Sequence, residues 1–315
     1  MSRAFCAQLA ALALLVAAGA QGGAQAAATV TPLSDGGSDA ASSLVNTLLA
    51  AQPGLSVVAG SASYSGQASA SGLFSNGGLA ANGLGIDSGV VLTTGDARFI
   101  GSSAAFEGDA ANQTGTYTAG VGNALTPNTS GGHSLFSSLT TEPTFNASVL
   151  SFSFVPQYAR LSLRFVFASE DYNDLVNSGF PTDVFGVFVN GVNQALLPGT
   201  QLGISASTVN CGGPTSDPAG GLGGSCSLYR DNAPFYDAID TELDGLTVVM
   251  NLQMTVNPGQ VNTLSIGIAD TLDTMGDSAV LLAAGSVAAV PEPGTWALML
   301  GGVAALGVAA RRRRA

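Results

Sequence analysis

The stretch FVFASEDYNDLVNSGFPTDVFGVFVNG, residues 165–191, joins two apolar strands through an acidic loop. Apolar residues at every second position predict that the first strand buries one face in a core. These residues are Leu161, Leu163, Phe165 and Phe167. The second strand ends in Asn190-Gly191, a strong signal for a tight hairpin turn because both turn positions need φ > 0. Oxygen-bearing side chains therefore collect at a strand end in the most hydrophobic part of the chain.

Further β pattern lies on both sides of this stretch, between turns rich in glycine, serine and asparagine. The predicted strands lie within 85–95, 147–154, 204–209, 247–256, 264–268 and 279–284. An early helix is predicted after Asp39, which can cap it. Its apolar face consists of Leu44, Val45, Leu48 and Leu49. We therefore expect a mostly β fold: a sandwich or jelly-roll-like domain with a short N-terminal helix, followed by a C-terminal hydrophobic helix.

The predicted domain spans 27–288, between a signal peptide at 1–26 and a sorting and membrane segment at 289–315. Within the domain, residues 101–145 have the weakest apolar pattern and contain the single histidine, His133. We expect a long loop or insertion there.

The charge balance is strongly acidic. The chain has 315 residues, 21 acidic and 9 basic side chains, and a formal net charge of −12. Lysine is absent, and most arginines lie in the terminal segments, so the body is more acidic than the whole. Such a body does not bind nucleic acid through phosphate neutralisation, which needs a basic face. It can bind cations or stay soluble through self-repulsion.

Residues 1–26 have the pattern of a secretory signal peptide. Arg3 supplies the positive start, an apolar stretch follows, and Ala24-Gln25-Ala26 offers a cleavage site for signal peptidase. A cut after Ala28 fits nearly as well. The alternative, an uncleaved anchor, is disfavoured because the apolar stretch is shorter than the ~20 residues that span a bilayer.

The C-terminal tail starts with Val290-Pro291-Glu292-Pro293 and continues as an apolar run rich in glycine and alanine. It ends in Arg311, Arg312, Arg313 and Arg314. The prolines delay the predicted helix until about Gly294. The arginines hold the helix end in the cytoplasm, which places the body outside. The tail is therefore either a permanent anchor or a sorting segment that an intramembrane transpeptidase cuts.

This tail, with VPEPGTWALML at 290–300 and its arginine end, closely resembles the PEP-CTERM sorting signal. The resemblance implies recognition by an exosortase and cleavage near Pro-Glu-Pro. It also implies release or attachment at the surface of a Gram-negative bacterium that makes exopolysaccharide. The expected location is the cell surface, outer membrane or extracellular matrix, reached from a precursor inserted in the inner membrane.

The body resembles a choice-of-anchor L domain over residues 40–287. The segments that carry the resemblance are GVVLTTG at 89–95, FVFASEDY at 165–172, DVFGVFVNG at 183–191, DGLT at 244–247, IAD at 268–270 and DSAV at 277–280. Asp171 stands where many members have glutamate, which keeps a carboxylate. Such domains occur with different surface anchors, so the resemblance implies an exported surface protein and no particular reaction.

Three groups of side chains could supply the oxygen ligands that Ca²⁺ prefers, about 6–8 per ion. The first is Glu170, Asp171, Asn173, Asp174 and Asp183. The second is Asp231, Asn232, Asp237, Asp240, Glu242 and Asp244. The third is Asp270, Asp273 and Asp277. None has EF-hand or nonapeptide-repeat spacing, so they are either a calcium site or solvated loop carboxylates. No other cofactor is expected.

Cys211 and Cys226 are the cysteines left after removal of the signal peptide. An even pair in an oxidising compartment favours a disulfide over a metal site. Free thiols and intermolecular pairing are the alternatives.

The sequence gives little support for catalysis. One histidine is a weak basis for a Ser-His-Asp or Cys-His arrangement and too few for a histidine-rich zinc site. Glycoside hydrolysis needs two carboxylates at a fixed separation across a cleft, which spacing alone does not reveal. We expect a non-enzymatic surface or matrix protein with a structural or adhesive role linked to exopolysaccharide. The alternative is a lectin-like glycan-binding module, with Tyr172 as a stacking surface beside the acidic loop.

Overall fold

The computed structural model describes most of the predicted β domain. The described residues are 28–35, 39–49, 54–78, 82–101, 128–172, 175–176, 178–211, 225–232, 239, 241 and 243–291. The predicted signal peptide and the predicted C-terminal helix lie outside them.

Within these residues the chain is mostly β, as predicted, and every strand pair is antiparallel. The strands are β1 Thr29–Pro32, β2 Leu55–Val57, β3 Ser63–Ser65, β4 Ser71–Ser75, β5 Gly89–Thr93, β6 Thr144–Pro156, β7 Arg160–Ser169, β8 Val184–Val189, β9 Val192–Asn193, β10 Tyr229–Asp231, β11 Gly245–Thr247, β12 Met250–Thr255, β13 Asn262–Thr271, β14 Ser278–Ala283 and β15 Ala288–Val290. The α-helix is α1, Ala40–Leu49. Short 3₁₀ helices cover Leu33–Asp35, Ala68–Ala70, Ala97–Phe99, Ser134–Ser138 and Cys226–Leu228.

The first sheet, sheet A, is built around β7. Its strand order is β1-β4-β5-β14-β7-β11-β10. β7 is longer than its neighbours, so each of its edges carries two of them. One edge pairs with β14 and then β15, and the other pairs with β11 and then β12. β7 is therefore hydrogen-bonded on both sides over nearly its whole length.

The second sheet, sheet B, is built around β6 and β13. Its order is β2-β6-β13-β8-β9, and β3 also pairs with β6. The hairpin between β8 and β9 turns at Asn190 and Gly191, whose φ angles are 52° and 81°. The predicted Asn-Gly turn is therefore confirmed.

One hydrophobic cluster fills the space between the two sheets. The four alternating residues of β7 all belong to it and are almost fully buried, which confirms the predicted core face. The Phe185 ring of sheet B lies with its centroid 5.0 Å from that of Phe165 and 6.1 Å from that of Phe167. Leu44, Val45 and Leu48 of α1 join the same cluster, as the helix pattern predicts. The two sheets thus pack face to face.

Each sheet is also covered on its outer side. Val166 and Ala168, which alternate with the core-facing residues of β7, belong to a second cluster on the outer face of sheet A. A third cluster, with Phe136 and Phe188, covers part of sheet B. The C-terminal half of β7 is therefore buried on both faces, which explains its nearly continuous apolar run.

One local prediction is wrong. Residues 204–209 form turns instead of a strand, and Ile204, Ala206 and Val209 are apolar because they pack into the inter-sheet core. The region 101–145, predicted as a long loop or insertion, is described only at residue 101 and over 128–145. In its described part, Ser134–Ser138 form a 3₁₀ helix that buries Phe136 completely, and β6 begins at Thr144.

The predicted disulfide is present between Cys211 and Cys226, whose Cα atoms are 4.5 Å apart. It ties the chain that follows sheet B to the 3₁₀ helix before β10. The bond closes a loop with a sequence separation of 15 residues.

Replacing Phe185 by alanine should lower the free energy of unfolding by about 3–5 kcal/mol, because the surrounding rings cannot fill the cavity. Urea denaturation followed by circular dichroism measures the change. Val192→Ala is the control: that side chain is 61% exposed, and its loss should change stability by less than about 0.5 kcal/mol. Equal effects of the two substitutions would contradict the inter-sheet core.

Replacing both cysteines by serine should lower the free energy of unfolding by about 3 kcal/mol, because the open loop gains conformational entropy in the unfolded chain. The native protein should resist thiol alkylation until it is reduced, which mass spectrometry detects. Reduction of the native protein should lower the denaturation midpoint as much as the double substitution does. Two thiols that react before reduction would rule out the bridge.

Candidate functional site: a buried carboxylate cluster

The acidic loop after β7 lies where several strand ends meet. In an antiparallel sheet, the end of one strand lies beside the start of its neighbour. Ser169, which ends β7, therefore pairs with Ser278 at the start of β14 and with Gly245 at the start of β11. In sheet B, Ala269 near the end of β13 pairs with Val184 at the start of β8. The register brings together the acidic residues that flank these strands.

Five of these acids form what we term the carboxylate cluster. They are Glu170, Asp171, Asp183, Asp270 and Asp277, and each is less than a tenth exposed. They come from the ends or starts of four strands in both sheets. Asp244, also buried, directly precedes β11 at the same end.

Asp183 connects the two sheets within the cluster. Its backbone N–H donates to Asp171 Oδ2 at 2.8 Å. Its Oδ1 accepts from the Thr271 N–H at 3.1 Å, and its Oδ2 accepts from the Ser278 hydroxyl at 2.7 Å. The Ser278 hydroxyl also lies 2.8 Å from Ser169 Oγ. These bonds fix the Asp183 carboxyl group between β13 and β14.

Glu170 and Asp277 hold the adjacent strand ends together. The Asp277 N–H donates to Glu170 Oε2 at 3.0 Å, and the Glu170 N–H donates to the Asp277 carbonyl at the same distance. On the other side of β14, Thr94 Oγ1 accepts from the Ser278 N–H at 2.9 Å. The cluster therefore continues the ladder of sheet A beyond its last paired residues.

Asp270 is positioned by a β-bulge. The register between β13 and β6 shifts between Ile268 and Asp270, and Asn146 of β6 has a left-handed φ of 50°. This conformation lets Asn146 Nδ2 donate to Asp270 Oδ2 at 2.7 Å. Asp270 Oδ1 is buried and has no hydrogen-bond partner of good geometry.

Burial raises the pKa of Asp183 well above its ordinary value, and the charges of Asp171 and Asp270 add to this rise. Hydrogen bonds from Ser278 and Thr271 stabilise the ionised form and offset part of it. Asp183 is therefore a carboxyl group that holds its proton more strongly than an exposed aspartate.

The pKa of Asp270 is shifted in the same direction as that of Asp183. Burial raises its pKa well above the ordinary value, and the charges of Asp277 and Asp171 raise it further, while Thr94 and Asn146 oppose the rise. The charges that act on Asp183 and Asp270 thus come from other members of the cluster.

A short loop at 272–276 passes over the cluster between β13 and β14. Leu272 has a φ of 79°, a left-handed conformation that a branched side chain rarely adopts. Gly276 has a φ of 73°, and a Cβ atom added there would lie 3.2 Å from Asp171 Oδ1. The loop therefore needs glycine at this point of close approach.

Several predicted calcium ligands do not belong to the cluster. Asp273 is exposed, and its Oδ1 accepts from the Met275 N–H at 2.9 Å. Asp231 is exposed and accepts from the Tyr229 hydroxyl. Asn232 is buried and holds the chain around 239–243 through its own hydrogen bonds. Outside the described residues lie Asn173, Asp174, Asp237, Asp240 and Glu242.

The acidic side chains are not arranged as a finished metal centre. Among the described residues, no three histidine, cysteine, aspartate or glutamate side chains have that geometry. The cluster is a set of buried carboxyl groups that accept hydrogen bonds from hydroxyl and amide donors. Oδ1 of Asp270 is buried and has no donor of good geometry.

Tyr172 is not a stacking surface, so that prediction is wrong. The side chain is only 1% exposed. Its ring centroid lies 4.7 Å from that of Tyr229 and 6.3 Å from that of Phe167. Tyr172 closes the core beneath the acidic loop and offers no face to a sugar.

Four neutral residues that organise the cluster were not predicted from the sequence. They are Thr94, Asn146, Ser169 and Ser278. Ser169 and Ser278 stand directly beside acids in the sequence, and antiparallel pairing of their strands would have placed them together. Asn146 gave no such signal, since its role depends on a bulge.

The sorting motif starts where the last described strand ends. Ala289 and Val290 of β15 pair with Leu161 and Arg160 at the start of β7. Pro291 follows, and it cannot extend the ladder because it lacks an N–H group. The rest of the motif and the arginine end, Glu292, Pro293, Arg311, Arg312, Arg313 and Arg314, lie outside the described residues. In the part of the chain that is described, no helix is long and apolar enough to cross a membrane.

In buffer free of divalent cations, stability should fall as the pH rises above about 4, where unfolded aspartates release their protons. The folded state retains protons on Asp183 and Asp270 that the unfolded state has lost. The free energy of unfolding therefore falls as the pH rises, with a slope of up to about 1.4 kcal/mol per pH unit for each retained proton. Asp270→Asn should make the slope shallower. Urea denaturation of both proteins across pH 4–7 measures it.

Asp273→Asn is the control for this experiment, because its exposed carboxylate lies outside the cluster. That variant should keep the wild-type slope. A wild-type slope that Asp270→Asn leaves unchanged would show that Asp270 retains no extra proton in the folded state.

Comparison with known families agrees with this architecture. Residues 33–288 match the model of the choice-of-anchor L domain, and residues 289–314 match the PEP-CTERM protein-sorting motif. No curated protein and no solved structure matches the sequence significantly. The boundary between the two matches falls inside β15. The PEP-CTERM motif implies export, surface sorting and processing by an exosortase. The chain belongs to the choice-of-anchor L family and carries a PEP-CTERM sorting motif at the end of its β domain.

Proposed function

We propose that the β domain is a structural or adhesive component of the cell surface or extracellular matrix. An exosortase removes the tail near Pro-Glu-Pro, and the released domain associates with exopolysaccharide. Signal peptidase acts at the other end of the precursor, and the tail holds the precursor in the inner membrane until it is cut.

This proposal rests on where the sorting motif begins relative to the last strand of the β domain. Val290 is the last paired residue of sheet A, and Pro291 follows it directly. A cut at or after Pro291 therefore leaves every described strand of the domain in place. The described core residues all precede Pro291, so we expect processing to follow folding without loss of stability.

We further propose that the domain is not an enzyme. His133 accepts a hydrogen bond from the Leu135 N–H at the start of a 3₁₀ helix, a capping role. The carboxylate cluster is buried and bonded to the ends of strands, whereas a glycosidase needs two carboxyl groups on opposite sides of an open cleft. The lectin-like alternative relied on Tyr172, and the burial of that ring removes its support.

In cells that contain an exosortase, the mature protein should lack the segment after the motif, and mass spectrometry of its C-terminus should show this. Replacing Pro291, Glu292 and Pro293 by alanine should keep the arginine end and hold the protein in the membrane fraction. Glu142→Ala, an exposed change in the body, is the control and should be processed normally. If the wild-type protein keeps its C-terminus, the tail is a permanent anchor and the proposed cleavage is wrong.

The matrix role has a separate readout in the same cells. With exopolysaccharide synthesis intact, the processed domain should sediment with the polymer, and without synthesis it should enter the medium. A domain that is free in both cases would overturn the proposed association while leaving the sorting step unaffected.

A further inference from the structure

The carboxylate cluster concentrates acidic groups where water is excluded. Buried ionised carboxyl groups in proteins are paired, protonated or bound to a metal, because desolvation of an isolated charge is too unfavourable. Around Asp183 and Asp270 the neighbouring charges are those of other acids. Hydrogen bonds from Ser278 and Asn146 supply neutral donors only. These contacts orient the carboxyl groups without cancelling their charge.

Asp270 provides the observation that points to a ligand. Its side chain is 1% exposed, and Asn146 occupies its Oδ2. Its Oδ1 is buried and has no hydrogen-bond partner of good geometry, although the Thr94 hydroxyl lies near the carboxyl group, and the charges of Asp171 and Asp277 act on it. A buried carboxylate oxygen without a good donor keeps lone pairs that can accept a further partner, and the charges acting on this one are those of other acids. Such an oxygen is a ready ligand for a cation.

The chemistry of the donors limits which cation fits. The side chains that act on Asp270 are carboxylates, one hydroxyl and one amide, and none carries sulfur or an imidazole. The two described cysteines form a disulfide, and His133 caps a 3₁₀ helix. Oxygen-only sites select hard cations. An irregular set rich in carboxylates suits Ca²⁺, which accepts a flexible geometry, better than Mg²⁺, which demands a near-ideal octahedron.

We propose that the carboxylate cluster binds Ca²⁺, with Asp270 as a direct ligand and with Asp171 and Asp277 completing the acidic side of the site. The described side chains are not yet in the geometry of a formed centre. Binding therefore turns these carboxyl groups about their side-chain torsions, while the paired strand ends keep their positions. The ion links the end of β13 to the ends of β7 and β14, and so joins sheet B to sheet A.

The test uses the full-length chain, stripped with EDTA at pH 7.5 and titrated with CaCl₂ and, separately, with TbCl₃. Ca²⁺ at 100 times its Kd should raise the melting temperature by about 5 °C or more. Tb³⁺ should show luminescence sensitised by Tyr172, which follows Asp171 in the chain, and Ca²⁺ should displace it. Asp270→Asn should weaken Ca²⁺ binding at least about tenfold, since one charged ligand is lost.

Asp273→Asn is the matched control, because this carboxylate lies in the loop above the cluster, is exposed, and bonds only within its own turn. It should bind Ca²⁺ like the wild type. If Asp270→Asn does not fold, Asp277→Asn replaces it, because Asp277 is also a proposed ligand. The melting temperature of the wild type with and without Ca²⁺ tests the proposal independently of either variant. No shift in wild-type melting temperature with Ca²⁺, or equal binding by wild type and Asp270→Asn, would overturn the proposal.

Discussion

β7 is paired on both edges along almost its whole length, and this double pairing determines where the acidic end of the domain lies. A one-residue slip of β7 would turn Phe165 and Phe167 out of the inter-sheet core, because successive strand residues point to opposite faces. The same slip would move Ser169 away from Ser278. The core therefore fixes the register, and the register fixes which acids meet.

The carboxylate cluster destabilises the strand ends that apolar burial brings together. Apolar burial on both faces of β7 pulls the strand ends together, while the acids at those ends repel one another. Hydroxyl and amide donors reduce this conflict but leave the charge in place. Proteins tolerate such local conflict mainly at functional sites. A cluster that only decorated a loop would lie in water, as Asp273 does.

Much of the fold follows from local pattern, because alternation and turn chemistry act over a few residues. The core face of β7, the hairpin at Asn190 and the helix near Leu44 are all of this kind. Turns at 204–209 were mistaken for a strand because apolar spacing reports burial and not hydrogen bonding. The cluster itself could only be suggested, since Asn146 and Asp270 are 124 residues apart in sequence and meet through a bulge.

The pairing of β7 also sets an order of events in time. Ser169 and Ser278 are 109 residues apart, and β15 joins β7 later still. Contacts of such long separation form slowly, since the chain must first close a large loop. For an exported chain, β7 cannot gain its full set of partners until the residues just before the motif have crossed the membrane. Completion of the fold and arrival of the tail at the exosortase thus depend on the same late step of translocation.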